Sequence, residues 1–529
     1  MSETVTASQL VRLAEGDDVA IAMRGVEAGA DVEVAGSTRL RTCTPIPPGH
    51  KVALRDVAAG ELVHKYGHVI GVATAPIRRG DHIHVHNLGM PEHASSLASG
   101  GGAVAELPEL PADLRRTFAG IRRRSGAVAT RNYVGVLTTV NCSATVARQV
   151  VRRTEDEVAA LHEEGVDGVV ALTHGTGCGM ANRGQGRDVL QRTLQGYARH
   201  PNIGALVVLG LGCEVNAVTD LMQDLCLDDD IPVESFTIQE AGGTAEAIAR
   251  GQQLVRGMAG DLRGTRREEV GVEHLVLGLQ CGGSDAWSGL TANPALGVAS
   301  DLIVAAGGTS VLGETPEVYG AEQMLAERAV RPEVGQALLD RITWWEDYTT
   351  SQGTTLDGNP SPGNKDGGIT TILEKSLGAV AKGGHSPLNA VCGYAEPIPR
   401  PGFVFMDTPG YDPVSVTGMV AGGPTSSASR PDAARCSAAG PYPRSSSAPT
   451  PASRCGWPVT STSTAHPSWR AECRWETWVV ASTTCCLTPP RAGAASVRSS
   501  PWGARSSSRG SWERCSEPSA SGDDAIGVR

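Results

Sequence analysis

Four apolar runs of strand length each end in a polar loop that carries a cysteine: Cys142 in TTVNCS, Cys178 in THGTGCG, Cys213 in GLGCE and Cys281 in LQCGGSD. Ligands of open parallel sheets bind beyond the carboxyl ends of the strands, so these loops could converge on one site. Thiolates gathered there could hold an iron–sulfur cluster; singly, a free cysteine after a strand is more often a small buried apolar residue. His174, Glu214 and Asp285 lie in the same loops and bring acid–base or metal-ligating groups. The glycines of HGTGCG, GLGCE and CGGSD would let backbone N–H groups approach an anion. No P-loop or dinucleotide pattern is present, because GTGCGMANRG is not GxGxxG at a strand-to-helix junction with an acidic residue about 20 positions on. The expected anion is therefore a substrate carboxylate and not a nucleotide.

Two further constellations stand outside those loops. DHIHVHN places His82, His84 and His86 at alternate positions, so in an extended strand all three project from one face, where neutral imidazoles can ligate a divalent metal or simply form a polar surface. His64 and His68 read as ordinary surface residues. NPSPGNKDGGITTILEKSLG, residues 359–378, reads as a stiff exposed loop with Asn364 and Lys365 at its tip, followed by a helix carrying Glu374 and Lys375. A lysine on such a loop can pair with a carboxylate, or act as a base if its pKa is lowered. Glu314 and Glu317 sit beside a turn in GETPEVYGAE, and Glu346 and Asp347 read as one face of a helix.

The elements that must position these groups form three segments. Residues 10–88 alternate apolar positions between Gly-rich turns and suggest a small β-rich domain. Residues 89–115 are a Gly, Ala, Pro and Ser connector. From Tyr133 onward, strand runs (YVGVLTTV, GVVALTH, ALVVLGLG, HLVLGLQ) alternate with amphipathic stretches (SATVARQVVRR, RDVLQRTLQGYAR, TAEAIARGQQLVR), the pattern of a largely parallel α/β sheet. A charged run at 260–273 marks a boundary between a middle α/β domain, 116–262, and a C-terminal one, 270–423. The expected fold class is thus α/β multidomain.

At 529 residues several cores are expected, and a net charge of -11 argues against nucleic-acid or anionic-membrane partners. No apolar run reaches membrane-spanning length and no leader opens the chain, so a soluble cytoplasmic protein with mostly free thiols is expected. Residues 424–529 differ in kind: they hold 12 arginines and no lysine, 6 of the 13 cysteines and 6 of the 9 tryptophans. That composition lacks fold periodicity and is too rich in Trp and Cys for a solvated linker. It is what a GC-rich gene gives when read out of frame; a native low-complexity tail is the alternative. The segment is expected to be disordered or non-native.

The strings HKVALRDVAAGELVHKYGHVIGVA, HVHN, RNYVGVLTTVNCSATVARQ, THGTGCG, GLGCE, QCGGSDAWSGLTANPALG, GGTSVLGETPEVYGAE and NPSPGNKDGGITTILEKSLG resemble the altronate/galactarate dehydratases over residues 10–423. The resemblance implies an SAF-type β domain, two α/β domains, and β-elimination of water from a sugar acid with iron(II) or manganese(II). Altronate is the first expectation, then galactarate, then sulfolactate cleavage; an iron–sulfur dehydratase is a less favoured chemistry. It implies catalytic roles for Lys365, Asn364 and His174. Substrate contacts are expected from Asn141, Cys142, Gly283, Ser284, Asp285 and Asn293, metal ligation from His84, His86, Cys178 and Glu214, and association into a homo-oligomer is possible. The family pattern would continue past residue 423 with a strand and a TTGRG-type loop; PTSSASRPDAARCS stands there instead, and a chain from a disrupted gene without activity is the competing expectation.

Overall fold

The computed structural model describes residues 9–34, 38–91, 110, 116–225, 231–280, 284–424 and 426–429. The N-terminal segment is β-rich, as its alternation predicts: a six-stranded sheet packs beside a three-stranded one made of Leu62–Lys65, His68–Ala73 and Leu88–Gly89. The Leu62–Lys65 and His68–Ala73 strands form a hairpin closed by Tyr66 and Gly67, both at positive φ (61° and 75°), the two-residue turn whose twist matches that of its strands. Tyr66 pays a steric cost there that glycine would not, and its ring sits at the crevice described below.

In the middle domain Tyr133–Thr138, Gly168–Leu172, Ile203–Gly210 and Val233–Thr237 form an all-parallel sheet in which Tyr133–Thr138 lies between Gly168–Leu172 and Ile203–Gly210. Ile203–Gly210 is buried along its whole length, as a strand covered on both faces must be. The helices Ala144–Ala159 and Thr244–Asp261 cover one face and Gln185–Ala198 the other. The charged run at 260–273 contributes a strand, Glu268–Gly271, which pairs antiparallel with Thr117–Arg122 at the start of the middle domain.

The C-terminal sheet is parallel in the order Leu388–Cys392, Gly402–Met406, Thr309–Leu312, Val276–Gln280, Ser426–Ser429. The sheet therefore reaches past residue 423. Its last strand completes the main-chain ladder of Val276–Gln280, an interaction that backbone groups make whatever side chains they carry. Residues 430–529 lie outside the described residues. One apolar cluster joins Val63, Ile70 and Leu88 of the β domain to Leu277, Leu312, Leu377 and Phe403 of the C-terminal domain, so a shared core fixes these two domains against each other. Among the described residues no helix is long and apolar enough to cross a membrane.

Candidate active site

The turn at Gly49 and the segment 366–368 approach so closely that a Cβ on Gly368, at φ 94°, would meet the Gly49 carbonyl oxygen at 2.6 Å. This contact brings the strand Lys51–Ala53 under the C-terminal domain. Lys51 is fully buried there and donates to Gly368 O at 2.6 Å and to Glu374 Oε2 at 2.8 Å. Lys65, also buried, donates to Glu374 Oε1 at 2.6 Å. Glu374 stands in the first turn of the Ile372–Ala381 helix, where a carboxylate suits the helix dipole, and its Oε2 also accepts from the Thr370 N–H and hydroxyl. The helix N-cap, Thr371, in turn donates to Ile70 O of the β hairpin.

Two ammonium groups thus face one carboxylate out of water, and the group carries one excess positive charge when all three are ionised. Burial, with the charge on Lys65, pulls Lys51 down to about 8 against the attraction of Glu374. Burial also opposes the charge on Lys65, but Glu374 outweighs it and holds that lysine above its ordinary value. Glu374 is disfavoured by burial and nonetheless held far below the usual carboxylate range by both lysines.

Beside this network runs a narrow crevice lined by Lys65, Tyr66, Ser284, Asp285, Asn293, Glu374 and Lys375, among others. Ser284 and Asp285 follow the Val276–Gln280 strand, so the crevice lies at the carboxyl end of the C-terminal sheet, where ligand sites of parallel sheets occur. Of the expected substrate contacts, Ser284, Asp285 and Asn293 are therefore together. Asp285 caps the Ala286–Leu290 helix through Ser288, and Asn293 donates to Gly378 O at 2.9 Å. Asn141 and Cys142 lie on a middle-domain loop instead, and Gly283, like Cys281, lies outside the described residues.

The segment around Lys365 departs from the expected open loop. Pro362–Asp366 is a single helical turn with Ser361 and Asn364 in a capping box, because Ser-Pro-x-Asn supplies both the cap and the proline at the first turn. Asn364 also donates to Ser284 O at 2.8 Å, tying this turn to the crevice wall. The Lys365 carbonyl accepts from His84 Nε2 at 2.9 Å, and its half-buried side chain makes no hydrogen bond among the described residues.

The histidines are gathered by a turn, not by the extended strand expected. The strand ends at Ile83 and the chain bends through His84–Asn87, held by Asn87 Oδ1 on the His84 N–H. The rings nevertheless cluster: His82 lies 5.4 Å from His84 and 5.5 Å from His86, centroid to centroid, and His50 joins them at 5.0 Å from His82. His50 Nε2 faces Asp366 O at 3.1 Å and must carry a hydrogen, so its Nδ1 accepts from His82 Nε2 at 2.9 Å. Burial, then the neighbouring imidazoles, push His82 down to about 3, and burial also lowers His50 and His84. These three rings are neutral at pH 7.

The middle-domain loops form a separate arrangement. Asn141 N–H donates to Thr176 O at 2.8 Å, Asn216 N–H to Gly177 O at 3.1 Å, and Asn216 Nδ2 to Thr139 O at 2.8 Å, so the loops after three neighbouring strands are stitched together. Glu214 spends its carboxylate on this stitching, accepting from Thr139 Oγ1 and from the Leu211 and Gly212 N–H groups. His174 donates through Nε2 to Thr138 O and accepts at Nδ1 from Thr176 N–H, so both its nitrogens brace backbone. Cys142, Cys178 and Cys213 are exposed on these loops. Cys178 and Glu214 thus stand in a different domain from His84 and His86, and among the described residues no three His, Cys, Asp or Glu groups are arranged to hold a metal ion.

Sequence reasoning did not single out Lys51, Lys65 or His50. Lys65 shares strand parity with the buried Val63, a signal that it points inward; nothing local pointed to its partner Glu374. His68 lines a neighbouring cavity of about 360 Å³ with Met324, Arg328 and Leu377, and His64 pairs with Asp18 at 2.8 Å.

Family models divide the chain along the same lines. The altronate/galactarate dehydratase SAF domain matches residues 8–91, the second domain of D-galactarate dehydratase/altronate hydrolase matches 120–263, and the C-terminal D-galactarate/altronate dehydratase domain matches 272–427. The chain belongs to the altronate/galactarate dehydratase family of hydro-lyases. It is 34% identical to the altronate dehydratase of Bacillus subtilis (strain 168) over 413 residues, 78% of this chain and 81% of that protein. The altronate dehydratase of Escherichia coli (strain K12) is 36% identical over 415 residues, 78% of this chain and 82% of that one. The galactarate dehydratase (L-threo-forming) of the same organism is 37% identical over 436 residues, 80% of this chain and 81% of that one.

Proposed function

We propose that the chain dehydrates a sugar acid, altronate or galactarate, to a 2-keto-3-deoxy acid in the crevice between the β domain and the C-terminal domain. The observation that carries this reading is the excess positive charge of Lys51, Lys65 and Glu374, buried beside a crevice at the carboxyl end of a parallel sheet. Removing the proton next to a carboxylate spreads negative charge onto its oxygens, and a fixed positive field in a water-poor site stabilises that charge as it develops. Asn364, Ser284 and Asp285 hold the crevice wall in shape, Asn293 presents an amide to it, and Tyr66 closes its rim. The identities to altronate and galactarate dehydratases are too close to favour one substrate.

The neutral imidazoles suit the divalent metal, iron(II) or manganese(II), that the family resemblance implies. His82 and His84 each commit Nε2–H to an acceptor and keep a lone pair on Nδ1, the usual state of a ligating histidine. His82, His84 and His86 are the residues that would hold the ion, although the rings are gathered and not converged. Such an ion would polarise the substrate carboxylate. His50 uses both nitrogens and serves to orient His82.

The test is turnover of altronate and galactarate by the full chain supplied with iron(II) or manganese(II), followed by appearance of the 2-keto acid. Formation of the keto acid from either substrate supports the reading, and binding of neither would remove it. A second reading, an inactive product of a disrupted gene, is favoured by the lysine-free composition after residue 423 and by a family match that stops at residue 427. It predicts binding without turnover, and a downstream reading frame that restores a TTGRG-like loop.

A further inference from the structure

Lys375, the residue after Glu374, lines the same crevice but belongs to a second ion pair. Its ammonium donates to Glu317 Oε1 at 3.0 Å and to Asn359 Oδ1 at 2.9 Å, and lies 2.9 Å from Glu317 Oε2. Asn359 Nδ2 closes the ring by donating to Glu317 Oε1 at 2.9 Å. The Lys375 and Glu317 side chains are only 9% and 7% exposed. The carboxylate fork and the amide oxygen occupy two directions of the ammonium, and among the described residues its third N–H has no acceptor.

Glu317 is itself held firmly. It ends the turn Thr315–Glu317 that follows the strand Thr309–Leu312, and this turn is entered through Glu314 in the left-handed conformation at φ 68°. Thr315 Oγ1 donates to Asp407 Oδ1 and the Glu314 N–H to Thr408 Oγ1, each at 2.7 Å, which locks the turn to the loop after the adjacent strand Gly402–Met406. A non-glycine residue held at positive φ is strain retained by its surroundings.

We propose that Lys375 is the cation that touches the substrate carboxylate, and that Glu317 and Asn359 are positioning residues that aim its free N–H into the crevice. This inference rests on the dehydratase reading of the same crevice. Lys51 does not line the crevice and Lys65 is bonded to Glu374, so both supply field; Lys375 supplies a directed hydrogen bond. That bond strengthens as the carboxylate gains charge, so it acts on turnover as well as on binding. Lys365 has no such carboxylate and amide to fix it.

The experiment compares the full chain with its Lys375→Met, Lys375→Arg and Glu317→Gln variants. It measures kcat and KM on galactarate and altronate, and galactarate affinity by titration calorimetry, with melting temperature as the folding check. Lys375→Met is expected to lose about 100-fold or more in kcat/KM, the scale set by removing one charge-stabilising donor. Lys375→Arg should recover part of that loss, and Glu317→Gln should lower kcat more than it raises KM. A folded Lys375→Met chain with unchanged kcat/KM overturns the inference while leaving the dehydratase reading intact. If the parent chain binds galactarate without turning it over, calorimetry decides: weakened binding in Lys375→Met upholds the role of Lys375, and equal binding overturns it. Absence of both turnover and binding in the parent overturns both.

Discussion

The crevice between the β and C-terminal domains and the loop cluster of the middle domain both stand at the carboxyl ends of parallel strands, yet they use their polar residues in opposite ways. Beside the crevice, two buried lysines meet one glutamate, and a third lysine is steered by a second carboxylate and an amide. In the middle domain the polar groups satisfy one another, with Glu214, His174 and Asn216 all bonded to nearby main chain and the cysteines left in solvent. Burying a net charge costs free energy, and a fold that retains such a site holds a field ready for an anion. A satisfied loop cluster gives rigidity without that field.

The comparison is broken most forcefully at its two glutamates. Glu374→Gln leaves Lys51 and Lys65 buried without a counter-charge and should cost about 3–5 kcal/mol of unfolding free energy. Glu214→Gln keeps an oxygen acceptor for the loop and should cost about 1 kcal/mol. Urea unfolding of both variants checks the ranking, and equal losses would erase the distinction between the regions.

The seam between the middle and C-terminal domains gives a pH test of intermediate size. His200 is buried, accepts from the Asn202 N–H at Nδ1 and donates through Nε2 to Pro424 O, so both nitrogens are committed in the neutral form. Burial pushes it down to about 4. Because the unfolded chain binds this proton from about pH 6.5 downward and the folded chain only near pH 4, stability is present above pH 6.5 and falls as pH drops through that window, by up to about 3 kcal/mol. Melting temperatures between pH 7 and 4 should fall less steeply in His200→Asn, and an unchanged slope would remove His200 as the cause. The smallest effect belongs to the thiols: a combined Cys142→Ser, Cys178→Ser, Cys213→Ser chain should stay within about 0.5 kcal/mol of its parent, since exposed side chains with no buried partner contribute little. A larger loss in the same unfolding measurement would mean that these cysteines share a structural ligand.

Much of this was legible in the sequence because it depends on local periodicity. The runs from Tyr133 to Gln280 gave their strands and helices, since a strand covered on both faces is apolar throughout and an amphipathic helix repeats every three to four residues. The cysteine-bearing loops were legible as strand ends, and the likeness of whole strings to the dehydratase family carried the function. The charge network was not legible. Lys51 and Glu374 stand 323 positions apart, and each alone reads as a surface residue until the shared core brings the domains together. Asn364 and Lys365 drew attention through the rigidity of Pro and Gly around them, but the same residues build a capped helical turn, and the better-anchored lysine stands ten positions on. His82, His84 and His86 cluster through a turn that an alternating pattern alone does not encode.

Hydrogen–deuterium exchange of the full chain with and without saturating galactarate tests most directly whether the crevice is the ligand site. The account predicts added protection in peptides covering Lys65–Tyr66, Ser284–Asn293 and 359–378, with none in those covering 139–142, 174–178 and 211–216. Protection confined to the middle-domain loops would contradict it.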